Sequence, residues 1–486
     1  MNDPTLVTKQ KNRYDYGQFI HKINFEGPIR MSDTTFNTIE DILDYIKTTD
    51  LEYATIGYVD YQGAIRSKYV SQEHLISALQ GTTNPIITLI FDAGDEVLET
   101  ASLGNKDETY NDSPFRLDPS SARIVPWENS RRNLLILGEF IEEGAQFCPR
   151  SLYNRLYNQC QEKGLTFVNG IELEFTLFDE TSKSAADKNW RGIYTATRQK
   201  TYCSYQRQLS QLDFYHDLMD ICKTLNINID SLHEESGDGF MEVALAHGSG
   251  SRIPDNAILF KTFCKVAAVR HDKLATFMAR WSNDADGQSG HIHMSITDQS
   301  GKNIFHDDTK EHQMSDAMRY FIGGLQKLLP EFLLMMAPNI NSFKRLIPGI
   351  FAPISAEWGI ENRTCSLRAI PGSKNSSRVE CRTPGADANP YLSLSAMMGA
   401  GIYGIEHKIE PTASTTTNAY NSATPEALKF PSDFRDAIEK FSGSKIAREI
   451  FGDPFVDAYA QSRRTQFEQF QTFVTDKELE RFFDLV

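Results

Sequence analysis

Three short stretches of the chain alternate charged or metal-binding side chains with apolar ones. They are Glu172-Leu173-Glu174, His291-Ile292-His293 and Arg378-Val379-Glu380-Cys381-Arg382. Because residues i and i+2 of a β-strand point to the same face, each stretch predicts a strand with polar groups on one side and aliphatic groups on the other. Strands of this kind form a sheet with an apolar back and a chemically active front. A front that combines carboxylates, imidazoles and arginines suits a divalent metal together with phosphate.

Length and charge limit what kind of protein this is. With 486 residues and 40% hydrophobic residues, the chain can form two or three domains around a large core. Its 65 acidic and 50 basic residues give a net charge of −15, which argues against nucleic acid or an anionic membrane as the main partner.

The sequence also carries expectations about location. Seven cysteines without paired spacing do not fit a disulfide framework. The N-terminal residues lack a signal-peptide core, and the longest uncharged apolar run, Tyr391 to Ile405, is shorter than a membrane span. We therefore expect a soluble, cytoplasmic protein with reduced cysteines.

The predicted elements divide the chain into three parts. Residues 1–35 are polar and aperiodic, which predicts a flexible extension. Residues 36–142 predict a small α+β domain, with a helix at 38–48, strands at 53–59, 64–70, 85–91 and 134–140, and a long surface loop at 104–118. Residues 143–486 predict a larger domain with helices at 149–163 and 206–225, and only helices after about residue 406.

Further acidic residues lie on a predicted hairpin. Glu234 and Glu242 flank a Ser-Gly-Asp-Gly turn, so they should lie on adjacent strands. Carboxylates on adjacent strands repel each other unless a cation lies between them. Taken alone, this pair fits a surface hairpin as well as it fits a metal site, and Glu172 and Glu174 alone fit a half-exposed strand.

Four arginines, Arg363, Arg368, Arg378 and Arg382, lie close together in the sequence. They could form a ladder of ion pairs with neighbouring acids. Four positive charges this close would repel one another, and an anion bound between them would offset that repulsion. Phosphate or carboxylate is favoured, because guanidinium binds both in bidentate fashion.

The order of these motifs resembles the glutamine synthetase superfamily. The matching segments are Glu-x-Glu-Phe at 172–175, His-Glu at 233–234, Glu-Val at 242–243, His-x-His-Met-Ser at 291–295, Asn-Ser-Phe-Lys-Arg-Leu at 341–346, Asn-Arg-Thr at 362–364, Arg-Val-Glu-Cys-Arg at 378–382 and Ala-Asn-Pro-Tyr-Leu at 388–392. The resemblance implies an α+β fold with a small N-terminal β-grasp domain and a large catalytic domain, whose antiparallel sheet forms an open half-barrel with helices outside. It also implies a homo-oligomeric ring, commonly a dodecamer, with active sites shared between neighbouring subunits.

The resemblance assigns a role to each motif residue. Two or more Mg²⁺ or Mn²⁺ ions would be held by two sets of ligands, Glu174, Glu234 and Glu242 for the first ion and Glu172, His291 and Glu380 for the second. The co-substrate ATP would lie near His293, Ser295, Arg368 and Arg378. Glutamate would be bound by Gly287 and Arg345. Three residues would act in catalysis: Arg382 beside the reacting carboxylate, Arg363 (with Arg368) facing the transferred phosphate, and Asp60 reaching the neighbouring subunit's site near the amine.

One segment departs from the ammonia-using members of this family. They carry Pro-Gly-x-Glu-Ala-Pro, whereas residues 348–353 read Pro-Gly-Ile-Phe-Ala-Pro, which puts Phe351 in place of the acid. Losing a carboxylate weakens the capture of ammonium and makes the pocket less polar. The following segment, 354–364, resembles the branch that glutamylates organic amines. Asp286 also replaces the Asn that usually precedes Gly287.

We therefore predict a glutamate–amine ligase that converts ATP, glutamate and a primary amine into a γ-glutamyl amide, ADP and phosphate. With Phe351 in the amine pocket, an apolar amine such as aniline, neutral at pH 7, is favoured. A polyamine such as putrescine would want a compensating acid, for which Glu357 and Asp60 are candidates. An ordinary glutamine synthetase remains an alternative, as does an inactive relative kept for structure or binding, although the full ligand set disfavours the latter.

Overall fold

The computed structural model describes residues 34–100, 102–103, 110–125, 134–198, 200–350, 352–421 and 423–486. The extension expected at 1–35 and the predicted pocket residue Phe351 therefore fall outside the described residues, apart from positions 34 and 35. The described chain forms one six-stranded and one eight-stranded sheet with helices packed around them.

The first sheet is built from the N-terminal part of the chain. Its strands are β1 (Tyr53–Val59), β2 (Ile65–Ser71), β3 (Thr82–Pro85), β4 (Asp112–Leu117), β5 (Arg123–Ile124) and β6 (Leu134–Phe140). They lie in the order β2-β1-β6-β4-β3, with β5 also on β6, and β1 and β6 run parallel. Its helices are Ile39–Thr48 and Gln72–Ala78. The first of these confirms the helix predicted at 38–48, and a capping box on Thr38 marks its start.

Two predictions for this region were wrong. Residues 85–91 are not a strand, because β3 ends at Pro85 and Ile86–Ile90 form a 3₁₀ helix that buries Leu89 and Ile90. A short apolar run gives no periodicity that separates the two structures. The predicted loop at 104–118 contains β4, whose Phe115 packs edge-on against Tyr58. The polar composition of residues 104–118 gave no signal for this strand.

The second sheet carries the motifs. Its strands are β7 (Leu165–Phe178), β8 (Ile229–Glu234), β9 (Phe240–Gly248), β10 (Leu274–Thr276), β11 (Ile292–Asp298), β12 (Trp358–Ile360), β13 (Leu367–Ile370) and β14 (Arg378–Cys381). They lie in the order β12-β13-β14-β11-β7-β9-β8, with β10 also on β7. All pairs are antiparallel except β12 with β13. The sheet forms the open half-barrel that was predicted.

Helices surround this sheet. They are Pro149–Glu162, Ser182–Asp187, Tyr205–Ser210, Leu212–Thr224, Arg252–Arg270, Asp316–Phe332, Pro390–Glu406, Phe434–Gly443, Lys445–Phe451, Asp453–Gln471 and Asp476–Phe482. The 3₁₀ helices of the described chain, besides that at 86–90, are Pro119–Ser121, Glu142–Gln146, Glu311–Gln313, Leu333–Met335, Ser342–Lys344, Ala419–Asn421 and Glu426–Leu428. Within the described ranges, no helix combines the length and apolar character needed to cross a membrane.

Two helix predictions needed correction. The helix expected at 206–225 is divided at Gln211, which ends one helix and begins the next. The expectation of helices alone after residue 406 was wrong for residues 407–433, which are mostly irregular. Threonine, serine and proline dominate residues 411–425. Hydroxyl side chains compete with helical hydrogen bonding, and proline lacks the backbone N–H that a helix needs.

A buried ionic network joins the two sheets. Arg150 is fully buried at the start of the helix Pro149–Glu162 and pairs with Asp255 at 3.0 Å. It also pairs at 2.5 Å with Asp118, which lies between β4 and β5. The Tyr391 hydroxyl donates to Asp255. Because buried charges need partners, this network fixes the N-terminal sheet against the helices of the larger one.

Candidate active site

Strand register places the predicted polar residues next to each other. Glu380 lies on β14, between the strands β11 and β13. His293 on β11 lies opposite it on one side, and Arg368 on β13 lies opposite it on the other. On β7 and β9, Glu174 lies opposite Glu242. Directly opposed residues share a face of the sheet. The four strands β13, β14, β11 and β7 therefore present one continuous polar surface that extends onto β9.

The alternate residues of these strands lie in the core. Leu173, Met294, Val379 and Cys381 are at most 3% exposed. The division into an apolar back and a polar front, expected from the spacing alone, is confirmed.

Glu172 is the centre of the polar surface. Its carboxylate lies 3.2 Å from Nδ1 of His291 and 3.1 Å from Nε2 of His293. Burial would raise the pKa of Glu172, but the hydrogen bonds with both imidazoles outweigh burial and hold that pKa well below its usual range. Nδ1 of His291 also lies 3.8 Å from Glu380.

Glu380 is held by charges on either side. Arg382 lies 2.5 Å and Arg368 3.1 Å from its carboxylate oxygens. Burial opposes ionisation, yet His291 and Arg382 lower the pKa of Glu380 below its ordinary value. This carboxylate is therefore kept charged in the interior of the protein.

Negative charge is crowded around Glu242. Burial, together with the carboxylates of Glu172 and Glu174, raises the pKa of Glu242 to about 9. The backbone N–H of Ser289 donates to Glu174. No arginine is paired with Glu242 among the ion pairs of the described chain. A bound cation would relieve this repulsion.

The residues present fit divalent ions. Ligand atoms of Glu172, His293 and Glu380 lie within 4.8 Å of one another, and so do those of Glu172, Glu242 and His291. Nε2 of His291 is buried and has no hydrogen-bond partner among the described residues. Carboxylate oxygens with imidazole nitrogens suit Mg²⁺ or Mn²⁺. A third group within 4.8 Å, formed by His233, Glu235 and Glu242, contains two residues that were not predicted.

Glu234 lies apart from these groups. It is 2% exposed, and its carboxylate pairs at 3.0 Å with Nε of Arg207. In the β8–β9 register it lies opposite the buried Met241, out of step with Glu242. Burial raises the pKa of Glu234 and Arg207 opposes the rise. The structure therefore does not bring Glu234 together with the other predicted ligands.

A cavity of about 440 Å³ opens on one side of the carboxylates. Its lining includes Glu172, His293, Ser295 and Arg378. Arg378 donates from Nε to Nδ1 of His293 over 3.1 Å. The residues predicted to lie near ATP are thus together on this cavity, except Arg368, which is paired with Glu361 and Glu380.

A second cavity of about 510 Å³ lies further along the same strands. Thr176 and Phe240 line it. Thr176 lies two residues after Glu174 on β7, and Phe240 lies two residues before Glu242 on β9, so each shares a face of the sheet with that glutamate. Its lining also includes Trp281 and Asp286. The carboxylates and imidazoles consequently lie between two cavities.

The catalytic part of the chain matches a family model. Residues 146–482 match the model described as the glutamine synthetase catalytic domain. The chain belongs to the glutamine synthetase family. This family uses ATP and divalent metals such as Mg²⁺ or Mn²⁺, and the protein is an ATP-dependent ligase of this family that forms carbon–nitrogen bonds.

Similar proteins span nearly the whole chain. A type-1 glutamine synthetase 2 from Dictyostelium discoideum is 33% identical over 93% of this chain and 87% of the relative. A glutamate–isopropylamine ligase from a Pseudomonas species is 30% identical over 94% and 100%, and a gamma-glutamylethanolamide synthetase from Streptomyces coelicolor is 31% identical over 92% and 96%. The solved structure of apo GmaS without ligand has a TM-score of 0.78 and 22% identity, and covers 92% of this chain and 100% of that chain. The predicted family and fold are confirmed.

In this glutamine synthetase family member, Gly287 and Arg345 are in direct contact. Arg345 is 1% exposed and donates to the Ser289 hydroxyl at 2.8 Å and to the backbone oxygens of Thr383 at 2.8 Å and Arg382 at 3.0 Å. A Cβ atom on Gly287 would lie 2.4 Å from Cγ of Arg345. The close approach of the arginine stem therefore requires glycine at position 287.

Two predicted catalytic residues are not among the paired carboxylates and imidazoles of the described chain. Arg363 is exposed to solvent. Asp60 is fully buried, and its carboxylate accepts from Nε of Arg66 at 2.7 Å and from the backbone of Ala64 at 2.9 Å. Burial raises the pKa of Asp60 to about 6, while Arg66 opposes the rise. None of the hydrogen bonds of Asp60 within the described ranges involves the carboxylate–imidazole residues.

Sequence reasoning missed Arg207 and Ser289. Arg207 lies on the short helix Tyr205–Ser210. Nothing in the sequence indicated its contact with Glu234, except that this helix precedes a longer helix and the acidic hairpin. Ser289 lies in the Gly-Gln-Ser-Gly segment before His291, whose glycines permit close backbone approach.

Proposed function

We propose that this protein joins the γ-carboxylate of L-glutamate to a primary organic amine through γ-glutamyl phosphate. The observation that carries the proposal is the position of the carboxylate–imidazole residues between two cavities. One cavity would receive ATP and the other would receive glutamate and the amine. A carboxylate oxygen is too poor a leaving group for an amine to displace, and phosphorylation replaces it with phosphate.

Two divalent ions would be held by the predicted ligands, Glu174, Glu234 and Glu242 for one and Glu172, His291 and Glu380 for the other. When bound, the ions would neutralise the oxygens of the nucleotide and of the transferred phosphate. The assignment of Glu234 requires its carboxylate to turn from Arg207 toward Glu242. The residual charge of the phosphate would be met by Arg363 and Arg368.

The nucleotide would occupy the cavity lined by His293, Ser295 and Arg378. Arg378 already contacts His293 there, so its guanidinium is available beside the imidazole for a phosphate. Glutamate would lie on the other side of the ions. Gly287 would allow the ligand to approach the backbone, Arg345 would bind a carboxylate, and Arg382 would contact the reacting one.

The choice of an organic amine is supported by Phe351, which stands where ammonia-using members carry an acid. Aromatic Phe240 and Trp281 on the second cavity add apolar surface there. Relatives named for isopropylamine and for gamma-glutamylethanolamide are consistent with an amine larger than ammonia. We propose an apolar amine, of which aniline is the aromatic example, over a polyamine. Glu357 does not favour a polyamine, because its carboxylate accepts from Ser355 and Thr424.

We further propose a homo-oligomeric ring in which Asp60 contributes to a neighbouring site, and a division of the chain at 35/36 and 142/143. Large apolar side chains at 470–486 support self-association. Phe473, Phe483 and Leu485 are 62%, 78% and 86% exposed. Light scattering of the purified chain should give a mass several times 55.0 kDa, and a monomer would refute the ring.

Phosphate release with a panel of amines tests the reaction. With ATP, Mg²⁺ and L-glutamate, turnover should be greater with isopropylamine, ethanolamine, putrescine or aniline than with ammonia. Best turnover with ammonia would identify an ordinary glutamine synthetase instead. Phe351→Glu should shift preference toward ammonia, because it restores an acid that attracts ammonium.

A protein that gives no turnover with any amine, and no nucleotide-dependent rise in melting temperature with Mg²⁺, would be an inactive relative.

A further inference from the structure

Tyr420 has a buried hydroxyl group without a hydrogen-bond partner among the described residues. It lies in the 3₁₀ helix Ala419–Asn421, within the irregular segment that was expected to be helical. No described residue forms a hydrogen bond with its phenolic oxygen. Burying a hydroxyl without a hydrogen bond is unfavourable, so such a group often marks a position where a ligand supplies the missing partner.

Hydrogen bonds connect the segment of Tyr420 to two arginines of the candidate glutamate site. Ala419 is bonded to Thr364, and two residues further on the backbone oxygen of Ser366 accepts from the backbone N–H of Arg382 at 2.8 Å. Arg345 in turn donates to the backbone oxygen of the next residue, Thr383, at 2.8 Å. Burial raises the pKa of Tyr420, and the charges of Arg382 and Arg345 oppose the rise. Nε of Arg382 and Nε of Arg345 are also buried without hydrogen-bond partners in the described chain. Three donors of this region thus lack an acceptor among the described residues. An anion with several oxygens, such as glutamate, would satisfy all three.

A rigid turn holds Tyr420 in this position. The side-chain amide of Asn362 donates to the backbone oxygens of Thr415 and Thr417, each over 2.9 Å. The backbone N–H of Ala419 donates to the hydroxyl of Thr364, also over 2.9 Å. The Asn-Arg-Thr motif, which was predicted to serve the phosphate through its arginine, therefore also anchors the segment that carries Tyr420.

Two other described tyrosines have buried, unpartnered hydroxyls, Tyr61 and Tyr215. Tyr61 packs edge-on against Phe455 and Tyr459, away from the strands of the site. Tyr215 lies near the Glu234–Arg207 pair, which already balances its own charge. Tyr420 differs from both because the arginines beside it have unused donors.

We propose that Tyr420 is a catalytic residue whose hydroxyl donates a hydrogen bond to the reacting carboxyl group of glutamate. The inference rests on the proposed function. The amine nitrogen forms a bond to the carboxyl carbon, and the carbonyl oxygen gains negative charge. The carbonyl double bond re-forms as the carbon–oxygen bond to phosphate breaks, and the departing phosphate accepts the amine proton. Tyr420 keeps its own proton throughout and stabilises the charged oxygen beside Arg382.

Tyr420→Phe tests this role in the full-length protein. Hydroxylamine converts acyl phosphates into hydroxamates, which form coloured complexes with Fe³⁺, so it measures turnover without knowledge of the natural amine. Removing a hydrogen bond to a developing oxyanion should lower kcat by about 10- to 1,000-fold, as for other such donors. KM for ATP should stay unchanged, because the nucleotide cavity lies on the other side of the ions. Tyr61→Phe is the matched control, since it removes another buried tyrosine hydroxyl, on a ring that packs against Phe455 and Tyr459, and it should keep wild-type activity.

The outcomes separate the two proposals. If wild-type protein forms no hydroxamate, the proposed function fails. If wild-type protein forms hydroxamate and Tyr420→Phe keeps kcat within twofold, the role of Tyr420 is refuted while the function stands. The melting temperature of Tyr420→Phe should not fall, because the hydroxyl has no hydrogen-bond partner to lose in the described part of the chain. A fall of several degrees would show a structural hydroxyl and would equally overturn the proposal.

Discussion

Gly287→Ala should inactivate the enzyme through Arg345. The added Cβ would lie 2.4 Å from Cγ of Arg345, whereas ordinary contact begins at 3.4 Å, so the arginine stem would have to move by about 1 Å. The three hydrogen bonds of its guanidinium are 2.8–3.0 Å long. The same displacement would stretch them to about 4 Å, beyond hydrogen-bonding range.

The magnitude follows from two effects. A displacement of about 1 Å in a substrate-positioning group costs roughly 100-fold in rate, so kcat/KM for L-glutamate should fall by about that factor. Overpacking should cost about 1–3 kcal/mol of stability. For a chain of this length, an unfolding entropy of about 1 kcal/mol/K converts that penalty into a fall of about 1–3 °C in melting temperature.

The assay is hydroxamate formation at varied glutamate with saturating ATP and Mg²⁺, with thermal unfolding measured on the same samples. Gly443→Ala is the control, because a Cβ there meets nothing within 4 Å and its backbone is not left-handed. Wild-type kcat/KM in Gly287→Ala would refute the reasoning, since it would show that Arg345 can move without loss of glutamate binding.

Three further variants test the electrostatics. Glu242→Gln should raise the melting temperature of metal-free protein at pH 7, because a group with a pKa of about 9 must take up a proton on folding at that pH and glutamine need not. It should also reduce the additional rise that Mg²⁺ gives. Burial raises the pKa of Asp60 to about 6, so its contribution to stability is present below about pH 4 and lost as pH rises through 6. The melting temperature of Asp60→Asn relative to wild type should therefore increase across that range. Arg150→Met leaves Asp255 as an unpaired buried charge and should cost about 3–5 kcal/mol in urea unfolding, and adding Asp255→Asn should recover part of the loss.

The features that could be predicted from sequence depend on local geometry. The period of two in β7, β11 and β14 determined which side chains share a face, and the Thr38 capping box determined where the first helix begins. These signals act within a few residues, so tertiary structure does not change them. The order of the motifs then indicated the family.

The features that could not be predicted depend on distant parts of the chain. Glu234 pairs with Arg207 because a short helix happens to lie over the end of β8, and no spacing rule signals that contact. Tyr420 lies in a segment of threonines, serines and proline without periodicity, so its position depends on hydrogen bonds to Asn362 and Thr364. The apolar run at 86–90 formed a 3₁₀ helix because burial, and not strand pairing, determined its structure.

The register of β11 and β14 limits how such an enzyme can change during evolution. The residues on their polar face bind one another across the strands, and the residues between them, Met294 and Val379, lie in the core. Insertion or deletion of one residue within either strand would exchange the two faces, so the charged groups would enter the core and the aliphatic groups would enter the site. We expect divergence toward new amines to accumulate in connecting loops, where a change in length leaves this alternation intact.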